Sequence, residues 1–225
     1  MRLVFLEHEA DAPAGLLESW AAARGHASVT VAVGRGAALP ETSPGEVLVS
    51  LGSDRSVARS ADSWIGAEIE LLRRAAAGGR AVLGICFGGQ ALARALGGEV
   101  ERAPSLDPGW SLVETSLPAL IPAGPWFRWH EDSFTVPPDA AEIARVDGVP
   151  MAFRVDQAYG LQFHPEVTAD IALAWVQGAR ASLADNAIDE HELRRRILAG
   201  VNGARERAFD LFDRLAAGWT AAGVL

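Results

Sequence analysis

The chain has 225 residues, 49% hydrophobic and 22% charged, with 29 acidic against 20 basic side chains and a formal charge of −9. This length supplies a full core for one sizeable domain, and the composition excludes disordered and fibrous classes. The acidic balance argues against nucleic acid and anionic membrane as partners and favours a small-molecule substrate. Every basic residue is Arg, which excludes a Walker-A phosphate loop, a Lys Schiff base and a Lys general base. The first apolar run, Leu3-Val4-Phe5-Leu6, meets Glu7 and His8 too early for a signal peptide, and no apolar stretch of membrane-spanning length follows, so a cytoplasmic location is expected.

Apolar β-branched runs alternate with amphipathic Ala/Leu/Glu/Arg segments through the first half, the pattern of α/β units around a parallel sheet. Leu3 to Leu6 reads as the first strand, residues 12 to 24 as a helix, Ser28 to Val33 as the second strand and Val47 to Leu51 as the third. Trp64 to Ala77 carries Ile65, Ile69, Leu72 and Ala76 at helical spacing, and Gly78-Gly79 stops it. Ala81 to Ile85 reads as a buried central strand running into Cys86-Phe87-Gly88-Gly89-Gln90 and a helix from Ala91 to Leu96. Residues 99 to 163 read as strands joined by Pro/Gly turns: Trp110 to Glu114, Arg128 to Phe134, Ile143 to Val146, Met151 to Val155 and Gly160 to Phe163. Helices are predicted again near 169 to 182 and 189 to 217. The seven Trp are scattered, as core packing would have them; Trp126 and Trp129 lie nearest the candidate substrate segment.

The single cysteine, Cys86, excludes an intramolecular disulfide and a multi-Cys zinc site, leaving a core thiol or a nucleophile. Its place between a buried strand and a helix, among small residues that let the backbone turn sharply, is that of a nucleophile elbow. Such an elbow lifts the side chain above the carboxyl edge of the sheet, at a helix N-terminus whose exposed N–H groups favour a thiolate and an oxyanion. A thiol nucleophile needs a base and the base an orienting carboxylate. Gly160-Leu161-Gln162-Phe163 followed by His164-Pro165-Glu166 supplies both where proline ends a strand.

The two segments together resemble the class I glutamine amidotransferases, whose triad is Cys-His-Glu. Gly84-Ile85-Cys86-Phe87-Gly88-Gly89-Gln90 is similar to the family's nucleophile signature, and Gly160 to Glu166 to its second signature. The nearest subgroup resembles the amidotransferase domain of GMP synthase. The resemblance implies a flavodoxin-like α/β fold, with a mostly parallel central sheet flanked by helices and a smaller strand-rich part in mid-chain. The resemblance covers roughly residues 40 to 176, and the expected organisation is an amidotransferase domain over 1–183 with a C-terminal helical extension over 184–225, packed on the same domain.

By that resemblance Cys86, His164 and Glu166 are the triad, and the backbone N–H groups of Gly52 and Phe87 form the oxyanion hole. Gln90, Asp132 and His130 face the substrate, Asp132 holding the α-amino group. Many members carry Gly-Gly-Pro after the third strand where this chain has Leu51-Gly52-Ser53-Asp54. No metal is expected at His130-Glu131-Asp132, where adjacent strand residues point apart, and no cofactor is implied for amide cleavage. The expected reaction releases glutamate and ammonia from glutamine, with a separate ammonia-accepting synthetase subunit as partner. The same triad also fits a free-standing γ-glutamyl amide or peptide hydrolase, and the fold alone a regulatory or binding protein without turnover.

Overall fold

The computed structural model describes residues 1–103 and 105–225. The chain runs through β1 (Arg2–Leu6), α1 (Gly15–Ala23), β2 (Ala27–Val31), β3 (Glu46–Ser50), α2 (Ser63–Ala77), β4 (Ala81–Ile85), α3 (Phe87–Ala95), β5 (Val100–Arg102), β6 (Gly109–Leu112) and β7 (Glu114–Thr115). It continues through β8 (Pro125–Arg128), β9 (Asp132–Phe134), β10 (Ala141–Val146), β11 (Val149–Val155), β12 (Ala158–Leu161), α4 (Ala169–Gly178), α5 (Arg180–Asp185), α6 (Glu190–Gly200) and α7 (Ala204–Ala221). An eight-stranded sheet has the order β2-β1-β3-β4-β12-β11-β10-β7. Its first five members are parallel; β11, β10 and β7 continue it antiparallel. This is the flavodoxin-like α/β fold, whose parallel strands present their carboxyl ends along one edge.

Strand alternation builds the two cores. Leu3, Phe5, Val47, Val49, Leu83 and Ile85 face one side, where Trp20 of α1 and Leu211, Phe212, Leu215 and Trp219 of α7 cover them. Val4, Leu6, Leu48 and Val82 face the other, under Ile65 and Leu72 of α2 and Ala91 and Leu92 of α3. Helix α7 is thus part of the main core, and it is pinned by Trp20 Nε1 to Asp213 at 2.8 Å and by Trp219 Nε1 to the Gln157 carbonyl at 2.9 Å. A third cluster, Phe127, Val167, Val176, Leu193 and Ile197, joins α4 and α6 to β8.

Three sequence expectations are corrected. The strand read over Arg128 to Phe134 is two strands, β8 paired with β6 and β9 paired with β5, because their partners lie apart and Trp129-His130-Glu131 must bridge between them. Helix α3 starts at Phe87, not Ala91: the glycines that open it sit where tertiary packing allows nothing larger, which overrides their poor helix propensity. The helical segment over 189 to 217 breaks after Gly200, and Gly203, in the left-handed region at φ 72°, starts α7.

Candidate active site

Parallel pairing places Gly84 beside Gly160 and Ile85 beside Leu161, so the chain leaves β4 and β12 side by side at the carboxyl edge. Cys86 follows the first strand and His164 the second. Cys86 has φ 51° and ψ −106°, a backbone conformation rare outside glycine and held here by its surroundings. Its N–H donates to the Leu161 carbonyl at 2.7 Å and its carbonyl accepts from Gln90 N–H at 2.9 Å. The bend brings α3 against the sheet so closely that a Cβ on Gly88 would lie 2.0 Å from the Ser50 carbonyl oxygen, and one on Gly84 2.3 Å from that of Gly88. Only glycine fits at either place.

Cys86 is 6% exposed, and its thiol points to the Trp129 carbonyl oxygen at 3.6 Å and accepts a long contact from Gln162 Nε2 at 3.7 Å. His164 Nε2 approaches the same Trp129 oxygen at 3.4 Å, so the segment between β8 and β9 overhangs both side chains. His164 Nδ1 donates to Glu166 Oε1 at 2.7 Å, both side chains being buried. Burial of the imidazole works against its protonation, but the charges of Glu166 and Cys86 beside it prevail and hold its pKa well above the usual value. The ring is fixed further by Trp175 of α4, edge-on at 4.8 Å, and by its own backbone N–H on the Phe127 carbonyl at 2.8 Å. Glu166 is held through its carbonyl, which accepts from Leu16 N–H at 2.7 Å.

A cleft of about 460 Å³ opens over this edge, lined by Gly52, Cys86, Gln90, Trp129, His130, Asp132, His164 and Trp175, with Glu9, Asp54, Arg55 and Arg59 on its walls. Gly52 lies against the imidazole: a Cβ there would be 3.3 Å from His164 Cε1. Phe87 opens α3, so its N–H has no acceptor within the helix. Every residue expected at the site from sequence is therefore at or beside one cleft. Trp126, in contrast, is 2% exposed in the main core and away from it.

The substrate side holds surprises in its pairing. Asp132 is not a free carboxylate, since Oδ1 accepts from Arg59 Nη1 at 2.7 Å and Oδ2 from Ser56 Oγ at 2.6 Å. Gln90 Nε2 donates to the Asp132 carbonyl at 2.8 Å, and His130 Nδ1 to the same oxygen at 3.0 Å. Desolvation, aided by the positive charges of Arg128 and His164, lowers the His130 pKa to about 4. Sequence reading missed Arg59, Trp175, His8 and Glu68. For the last two a signal was present: His8 lies two residues past the end of β1 at the same sheet edge, and Glu68 falls three residues after Ile65 and four before Leu72 on a buried stripe.

The family model for class-I glutamine amidotransferases matches residues 24–172, well over half of the chain. The chain belongs to this family. Its members hydrolyse the side-chain amide C–N bond of glutamine with a cysteine nucleophile, so this amidotransferase is a cysteine hydrolase of C–N amide bonds. The amidotransferase is 30% identical over 200 residues to the glutamine amidotransferase-like protein YfeJ of Salmonella typhimurium, covering 82% of this chain and 84% of that one. It is 39% identical over 103 residues to the GMP synthase of Thermus thermophilus, where the match takes 40% of this chain and 19% of that protein. A glutamine amidotransferase of Thermotoga maritima shares the fold with a TM-score of 0.85 at 24% identity, over 96% of this chain and 97% of that one. Among the described residues of the amidotransferase, no helix is long and apolar enough to cross a membrane.

Proposed function

We propose that Cys86, His164 and Glu166 form the triad that cleaves glutamine through a γ-glutamyl thioester. The observation that carries this reading is a thiol on a strained elbow sharing one cleft edge with a buried His164–Glu166 pair at 2.7 Å. The Cys86 sulfur adds to the side-chain amide carbon, and the oxygen that becomes negative is received by the N–H groups of Gly52 and Phe87. His164 gives its proton to the departing nitrogen as the C–N bond breaks, and ammonia leaves a thioester. Water then attacks that thioester as His164 takes its proton, releasing glutamate and the thiol. Glu166 orients the imidazole and stabilises its cationic form throughout. Arg59 and Asp132, already paired, offer complementary charges to the zwitterionic end of glutamine, the α-carboxylate on the guanidinium and the α-ammonium on the carboxylate. Gln90 and His130 hold the Asp132 backbone in place.

Matches to GMP synthase support release of ammonia for an acceptor enzyme on another chain. A second reading, hydrolysis of a substituted γ-glutamyl amide, is favoured by the cleft itself, whose 460 Å³ is within the range that holds drug-sized ligands. The deciding experiment measures glutamate and amine release from glutamine and from γ-glutamyl amides, with Cys86→Ala as control. Release from glutamine that vanishes in Cys86→Ala is expected. Preference for a substituted amide would select the second reading, and release that survives in Cys86→Ala would overturn both.

A further inference from the structure

His8, after β1, and Glu68, on the inner face of α2, are completely buried side chains that do not line the cleft. The His8 ring stacks on Trp64 with centroids 4.9 Å apart and planes 14° from parallel, and meets Phe87 at 4.8 Å. Its Nε2 lies 2.9 Å from Glu68 Oε2, while Glu68 Oε1 accepts from Ser50 Oγ at 2.6 Å. Its Nδ1 lies 3.1 Å from the carbonyl oxygen of Gly52. A carbonyl oxygen only accepts, so Nδ1 is the donor in this contact, and Nε2 is turned to the carboxylate. Both ring nitrogens and both carboxylate oxygens are thereby satisfied, the condition under which such groups are tolerated in a core.

We propose that His8 is a positioning residue for the oxyanion turn, locked by Glu68 and Ser50 and locking Gly52 in turn. This rests on the reading of the Gly52 N–H as an oxyanion donor. Gly52 has no side chain to restrain it, and its two flanking peptide planes are pinned separately. The Leu51 carbonyl accepts from Gly88 N–H at 3.1 Å, which ties the turn to the helix behind Cys86. The Gly52 carbonyl accepts from His8, which ties the turn to β1 and α2. Without the second bond the Gly52–Ser53 plane is free to turn, and the Leu51–Gly52 plane that carries the N–H is held by the Gly88 bond alone. A concerted turn of that plane about ψ of Leu51 and φ of Gly52, which swings the N–H away from the developing negative charge, is then no longer opposed from the far side of Cα. Ser50, one residue before Leu51, closes the circuit by anchoring Glu68 to the end of β3.

The test separates oxyanion chemistry from thiol chemistry. Alkylation of Cys86 by iodoacetamide is a displacement at saturated carbon and passes through no oxyanion, whereas glutamine hydrolysis does. His8→Ala is expected to lower kcat for glutamine by about a hundredfold, the lower range for loss of an oxyanion donor, while KM and the alkylation rate stay near wild type. Glu68→Gln, nearly the same shape, is expected to give the same split to a smaller degree, and it carries the comparison should His8→Ala fail to fold. A kcat near wild type in both variants overturns the proposal. Alkylation falling in step with hydrolysis overturns it as well, since that is the mark of a merely structural role. Turnover that persists in Cys86→Ala refutes the underlying triad reading instead, whatever the His8 variants do.

Discussion

Replacing Glu166 by Gln keeps the volume and removes the charge beside His164 Nδ1, which stands 2.7 Å away with both side chains almost wholly buried. With charge centres about 4 Å apart and an effective dielectric near 20, the carboxylate is worth about 4 kcal/mol to an imidazolium. Part of that is offset by desolvation, so a loss of about 2–4 kcal/mol is expected where the transition state needs the cation, a fall of about 30- to 900-fold in kcat/KM. The pH profile supplies the sharper check. Burial opposes protonation of His164, Glu166 and Cys86 outweigh it, and the net pKa is raised; removing one of the raising charges must lower it. The basic limb of kcat/KM, where the imidazolium loses the proton destined for ammonia, therefore moves to lower pH in Glu166→Gln. Linkage gives the matching stability signature. A raised folded-state pKa contributes stability that is complete below the unfolded value of about 6.5 and is lost as pH rises through the folded value. The Tm difference between wild type and variant should accordingly be largest in mild acid and shrink on the alkaline side. Steady-state hydrolysis across pH, paired with thermal melts, measures both; a variant within threefold of wild type with an unmoved basic limb would refute the orienting role of Glu166.

Three other substitutions probe separate parts of the site. Gly88→Ala places a methyl group 2.0 Å from the Ser50 backbone oxygen, so the elbow must shift; hydrolysis and iodoacetamide labelling should both collapse, with stability lower by about 2–4 kcal/mol in denaturant titrations. Arg59→Ala leaves the buried Asp132 oxygen without its guanidinium and removes the expected carboxylate contact: KM for glutamine should rise about tenfold with little change in kcat, as for loss of one charged contact. The effect should disappear with 4-aminobutyramide, which lacks the α-carboxylate, and an equal effect on both substrates would remove Arg59 from recognition. His130→Gln tests a depressed pKa. Desolvation first, then Arg128 and His164, bring the ring to about 4 when folded, so acid favours the unfolded chain from about pH 6.5 down to 4. Because the ring keeps some exposure, this amounts to about 1–3 kcal/mol, and the acid limb of the stability curve should flatten in the variant.

The site was legible because its covalent neighbours advertise their backbone. A lone cysteine between a wholly apolar five-residue strand and two glycines has few conformations open to it, and a His-Pro-Glu step must end a strand. The adjacency of β4 and β12, which turns two distant motifs into one site, was not legible from spacing; it came with the family resemblance and rests physically on the parallel backbone pairing of Val82 to Ile85 with Ala158 to Leu161. The mid-chain strand over Arg128 to Phe134 was read too long because only the separate partners of β8 and β9 break it apart, and partners are not written in the local sequence.

The buried polar network was overlooked for a different reason, which bears on how such sites are found. In sequence Glu68 is one more charge on an amphipathic helix rich in Glu and Arg, and its spacing from Ile65 and Leu72 is all that marks it as buried. The helix stripe read as Ile65, Ile69, Leu72 and Ala76 is rotated in the fold to Ile65, Glu68, Leu71, Leu72 and Ala75. That rotation inserts a carboxylate into the core, which is tolerable only with a partner at hand, and His8 and Ser50 are both delivered by neighbouring parallel strands, β1 and β3, at the same sheet edge. A charged residue at i+3 and i−4 between two core positions, with a histidine two residues beyond a buried strand, is thus a readable pair once both are placed on the sheet's carboxyl edge. The cost of burying it argues that the turn it holds needs holding.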